Sequence, residues 1–131
     1  MGILNKLFKS DIKKTEKQPI SNVSWVPLTT LAQIEDVKKN SKEAAVVIFK
    51  HSTRCGISRM VIKQFEKSFT EDMKDVKVYY LDLLNYRELS NEVGYAFQVL
   101  HQSPQLLVIK NGVAVAYASH YDILQVDLKS F

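Results

Sequence analysis

The chain has 131 residues, 46% of them hydrophobic and 24% charged, with a net charge of +4; that is one domain's worth of core, which excludes a two-domain enzyme. No run approaches the ~18 consecutive apolar residues that a membrane span needs. The positive charge sits at the front, where Lys6, Lys9, Lys13, Lys14 and Lys17 face only Asp11 and Glu16, and the near-neutral remainder argues against a folded nucleic-acid surface, which needs clustered Lys and Arg.

Residues 1–22 read as a basic, weakly amphipathic tail. Ile3, Leu4, Leu7, Phe8 and Ile12 are interleaved with lysine at a spacing that permits one or two helical turns, able to touch an anionic membrane or to fray in water. No apolar leader follows Met1, and Lys6 stands where a myristoylation signal wants Ser or Thr, so neither a leader nor a lipid anchor is expected. Residues 23–131 form the expected domain, opening on a short strand at residues 25–28. Thr30 and Gln33 have capping-box spacing before a helix carrying Leu31, Ile34 and Val37. Residues 44–49, AAVVIF, are a short β-branched run with the signature of a strand buried on both faces. A helix from Cys55 to about Phe69 follows, then a strand at residues 76–82. Asn85 with Glu88 marks the next helix start, with Leu89, Val93 and Phe97 on its apolar face. Two apolar runs, 105–110 and 113–118, are joined by Asn111-Gly112, the signal of a type I′ hairpin. Ser119 with Asp122 is expected to cap a last helix holding Leu124, Leu128 and Phe131. The order implies a mixed sheet of four to five strands with helices on both faces, an α/β thioredoxin-like architecture.

Cys55 is the only cysteine, so an intramolecular disulfide and a multi-cysteine zinc site are excluded. A lone thiol in a chain without a leader reads as reduced and cytoplasmic. It ends the first buried strand and opens a helix, where unpaired backbone N–H groups and the helix dipole favour thiolate over thiol. Arg54 and Arg59 add positive charge, Gly56 leaves room for a partner to approach the sulfur, and Ser58 stands where a dithiol enzyme carries its second cysteine. A hydroxyl at 58 can bond a thiolate or satisfy a first-turn N–H, but cannot resolve a mixed disulfide. His51 reads as a structural strand-end histidine, and with His101 and His120 dispersed no metal site is expected. Ser103-Pro104 directly precedes a strand, where a cis bond or a strand-starting proline would fit.

Three segments, Thr53 to Ser58, Ser103 to Gln105 and Ala118 to Ile123, resemble the YtxJ-type monothiol bacilliredoxins of the thioredoxin-like superfamily, a likeness that spans about residues 23–131. The resemblance implies removal of bacillithiol from proteins whose thiols were capped during oxidative stress. It makes Cys55 the active-site cysteine, Ser58 the terminal serine of the motif and Pro104 the superfamily's cis-proline. Gly56 departs from the proline that many members carry there and bears on the rigidity of the loop. In the mechanism expected from it, Thr53, Arg54, Gly56, Ser58, Ser103 and Pro104 surround the substrate, with Arg54 drawn to the malyl carboxylates of bacillithiol. Bacillithiol is then a co-substrate, S-bacillithiolated proteins are the partners, no cofactor is tightly bound, and the chain works as a monomer. Two rivals remain. Cys55 to Arg59 is also similar to the Cys-x-x-Ser-Arg loop of glutaredoxin-coupled arsenate reductases, and a non-catalytic thioredoxin-like binding module would leave the cysteine passive.

Overall fold

The computed structural model describes residues 22–131, so the readings made on the tail fall outside the described residues, apart from Asn22. The centre of the sheet is β2 (Val46–His51), every residue of which is buried. Alternate side chains of a strand point to opposite faces, so Val46 and Ile48 enter one core while Val47 and Phe49 enter the other. Burial on both faces explains the unbroken apolar run. The strand starts and stops two residues later than residues 44–49, because Lys50 and His51, read from sequence as the polar boundary, are part of it.

Beside β2 lie β1 (Trp25–Pro27), β3 (Lys77–Asp82), β4 (Gln105–Lys110) and β5 (Val113–Ser119), in the order β1-β3-β2-β4-β5. β1 and β2 run parallel to β3, whereas β4 is antiparallel to both β2 and β5. The turn between β4 and β5 has Asn111 at φ 54° and Gly112 at φ 80°, the paired left-handed residues that a type I′ hairpin requires. Ser41, fully buried, clamps this turn: its hydroxyl accepts from Gly112 N at 2.9 Å and its carbonyl from Asn111 N at 2.8 Å. A register shift between Val108 and Ile109 marks a bulge in the β4–β5 ladder.

Helices α1 (Ala32–Asn40) and α3 (Arg87–Phe97) cover one face, packing Ile34, Val37, Leu89, Val93 and Phe97 against Ile48, Leu81, Leu107 and Ile109. Helix α2 (Gly56–Ser68) covers the other with Val61 and Phe65, joined by Phe69, Ile123 and Leu128. Trp25 seals that side: its ring lies 5.8 Å from Phe49, 5.9 Å from Phe65 and 5.7 Å from Tyr80, and its indole N–H donates to Glu66.

Three helix starts differ from expectation. Only half of the Thr30–Gln33 box forms: Gln33 Oε1 accepts from the Thr29 and Thr30 amides, but Leu31 is the cap residue and no side chain caps it. Asn85 donates to Asp82 at 2.7 Å, leaving Tyr86 to precede α3. The last helix is replaced by two 3-10 turns, His120–Gln125 and Leu128–Ser130. The apolar residues there explain why. Ile123 and Leu128 reach the core five residues apart, a spacing that one α-helical stripe cannot serve, while Leu124 and Phe131 stay over a third exposed.

Candidate active site

Register alone assembles one end of the sheet. His51 pairs with Asp82 and Lys50 with Gln105, so the segments following β2 and β3, the segment preceding β4 and the turn after β5 emerge on the same side. Open α/β sheets bind ligands beyond the carboxyl ends of their parallel strands. The thiol is on this side.

Ser52 O accepts from Cys55 N at 3.2 Å to close a tight turn, and Cys55 O accepts from Arg59 N at 3.0 Å to begin α2. Cys55 is therefore the N-cap residue, extended at φ −98° and ψ 122°, and partly exposed. Its sulfur stands at the end of the helix whose first N–H groups lack intrahelical partners. Thr53, Arg54, Gly56 and Arg59 are exposed around it, and the Arg59 guanidinium holds the loop by donating to Thr53 O at 3.0 Å. A Cβ at Gly56 would meet nothing nearer than an Arg59 nitrogen at 4.0 Å, so the position is open space and not a requirement for glycine.

Ser58 is placed differently from the exposed members of its motif. It has no exposed surface, its hydroxyl accepts from Ser52 N at 3.1 Å, and it is hydrogen-bonded to His51 Nδ1 at 2.7 Å. The serine thus pins the first turn of the thiol helix to the end of β2 from beneath. His51 is buried against Phe49 and Tyr80. Burial lowers its pKa, with Arg59 acting in the same direction and Asp82 and Glu66 opposing.

The second segment is the proline turn. The Ser103-Pro104 bond is cis, Pro104 is buried, and Pro104 O accepts from His120 N at 3.0 Å. Ser103 is half-buried with its hydroxyl enclosed and, among the described residues, without a hydrogen-bond partner. Two buried polar side chains grip the chain just before this turn. Gln105 donates to Leu100 O at 2.9 Å, and its carbonyl oxygen faces Gln102 N at 3.4 Å. Lys50, fully buried, donates to Ser90 O at 3.1 Å and lies 3.5 Å from His101 Nδ1. Among the described residues it has no carboxylate partner, and burial lowers its pKa to about 8. His101 is also shifted down, by burial, then by Lys50 and Arg87.

Cys55 and Pro104 are thus brought to one end of the fold, with Thr53, Arg54, Gly56 and Ser103 on the segments that carry them. His120 joins them through its backbone. Lys50, Ser90 and Gln105 were not identified from sequence. The signal for Lys50 was the FKH end of β2, which reads as a polar stop until the strand is known to continue through it.

Among the described residues no helix is long and apolar enough to cross a membrane. The sequence profile of the family described as Monothiol bacilliredoxin BrxC matches residues 26–128. A solved structure described as a candidate oxidoreductase with a thioredoxin fold is 34% identical, covers 76% of this chain and 85% of its own, and superposes with a TM-score of 0.66. Thioredoxins from Malassezia sympodialis and Schistosoma mansoni share the fold. The first is 24% identical over 86% of this chain and 95% of its own, with a TM-score of 0.67. The second is 20% identical over 86% and 99%, with a TM-score of 0.65. The thioredoxin-like fold, the one thiol at its helix start and the matched profile make this chain a thiol oxidoreductase that belongs to the monothiol bacilliredoxin family.

Proposed function

We propose that the protein removes bacillithiol from S-bacillithiolated cytoplasmic proteins under oxidative stress, acting as a monomer with bacillithiol as co-substrate and no tightly bound cofactor. The observation that carries this reading is a partly exposed Cys55 at the start of α2 with a buried serine, not a second thiol, three residues on. The Cys55 thiolate attacks the bacillithiol sulfur of the mixed disulfide. The old S–S bond breaks, the client leaves as a thiolate, and Cys55 is left capped. A second bacillithiol thiolate then attacks the capping sulfur, releasing bacillithiol disulfide and free Cys55. With one cysteine in the chain, no internal thiol can take that second step. Backbone groups of Ser103 beside Pro104 hold the client chain, and Thr53, Arg54 and Gly56 border the sulfur, Arg54 meeting the malyl carboxylates.

Intact-mass measurement after incubation with bacillithiol disulfide tests this. The expected result is a single one-bacillithiol adduct on the wild type and none on Cys55→Ser. An unreacted wild type, or an adduct that survives the substitution, overturns the reading.

A further inference from the structure

A groove of about 440 Å³ beside the proline turn, lined by Gln102, Tyr117, Ser119, His120, Tyr121 and Asp122, has no part in the chemistry above. We propose that it seats the sugar of the small thiol while its sulfur engages Cys55 and its malyl carboxylates are left to Arg54; this deepens the bacillithiol reading and rests on it.

Position is the first argument. On one side the groove joins the proline turn, since Ser119 pairs with Gln105 and His120 N is bonded to Pro104 O at 3.0 Å. On the other side it reaches the thiol helix, because Tyr121 Oη donates to Met60 Sδ at 3.8 Å. Met60 lies five residues along α2 from Cys55, ~7.5 Å at the helical rise per residue. The groove is therefore next to both segments that flank the sulfur.

Its chemistry is the second argument. Tyr117 is 62% exposed and Tyr121 50% exposed, two amphipathic rings left at the rim where a ring of mixed apolar and hydroxylated faces can lie against them. Between them are an amide, a hydroxyl, an imidazole and one carboxylate, a mixed set of donors and acceptors that suits a sugar with amide and hydroxyl substituents better than a hydrocarbon. His120, at φ 57°, adopts the left-handed backbone that a non-glycine residue rarely takes, and that turn carries Tyr121 and Asp122 from the edge strand towards α2.

The test compares two disulfides that differ only beyond the cysteine unit. Rates of Cys55 capping are measured with bacillithiol disulfide and with cystine, each step forming a Cys55 mixed disulfide and expelling one thiolate. Wild type is expected to prefer bacillithiol disulfide, and the ratio of the two rates is expected to fall about tenfold in Tyr117→Ala and, less steeply, in the isosteric Asp122→Asn. A ratio unchanged in both variants, or no preference in wild type, overturns the groove assignment. Wild type that reacts with neither disulfide overturns the proposed function itself, and is seen before any variant is made.

Discussion

Lys50 and His51 are adjacent on β2 yet serve opposite faces of the sheet, and the contrast separates the two halves of the site. On the His51 face the Ser58 hydroxyl meets both Ser52 N and His51 Nδ1, and the result is a thiol helix sewn to its strand through Ser58. On the Lys50 face an amine sits in the core with a carbonyl and an imidazole but, among the described residues, no acid, and the result is a tether from β2 to α3 and to the segment that leads into Pro104. The thiol helix is pinned from beneath by buried side chains without a buried cation, its one charged tie being the exposed Arg59, whereas the proline turn is held partly by a buried cation, which burial disfavours.

The largest expected effect sharpens that difference. Lys50 has its folded pKa depressed from 10.5 to about 8, so between those values the unfolded chain binds the extra proton and stability rises with pH. Urea unfolding of Lys50→Met, which lacks this group, should show its stability relative to wild type declining by up to about 3 kcal/mol as pH climbs from 8 to 10.5. A constant gap would mean that Lys50 is not titrating in the core. Next comes Ser58→Ala, which leaves Ser52 N–H and His51 Nδ1 buried without partners and should cost ~1–3 kcal/mol. The same substitution in a His51→Ala background should cost less; an equal cost would show that the His51 bond contributes nothing. A smaller effect is expected in acid. The pKa values of both His51 and His101 are lowered in the folded chain, so the unfolded chain takes up these protons first and stability falls as pH drops below 6.5. His51→Asn and His101→Asn should each flatten part of that fall, and an unchanged acid limb in both would break the assignment. The smallest concerns Gly56. It occupies the first helical position, which favours proline, and Cys55 before it already has the extended backbone that proline demands. Gly56→Pro should therefore raise the thermal midpoint, with a gain of ~0.4–1 kcal/mol.

Much of this architecture is written in local pattern. The buried run of β2, the Asn111-Gly112 hairpin and the thiol at a helix start each depend on a few adjacent residues, and each is found in the fold. The proline turn was also legible, as a dipeptide placed where proline could not join a central ladder. Lys50 was not, because lysine at the end of an apolar run signals solvent unless the tertiary partners that bury it are known. Gln105 hid for the same reason, as a polar opening to an apolar strand. Asn85 and Ser119 failed as caps through competition: Asn85 found Asp82, and Ser119 belongs to the end of β5. At Ser58 sequence left two uses of the hydroxyl open, and the fold commits its bonds to Ser52 and His51.

The sheet's two borders share a property. β1 is only three residues long and ends in Pro27, which has no N–H to offer. β5 at the far side is interrupted in its ladder by the bulge opposite Val108 and Ile109, and bulges twist a strand out of line with any newcomer. Neither rim presents the long straight row of amides and carbonyls on which a stray strand could template fibrillar growth, so the exposed Val113, Val115 and Tyr117 can remain in water without inviting it.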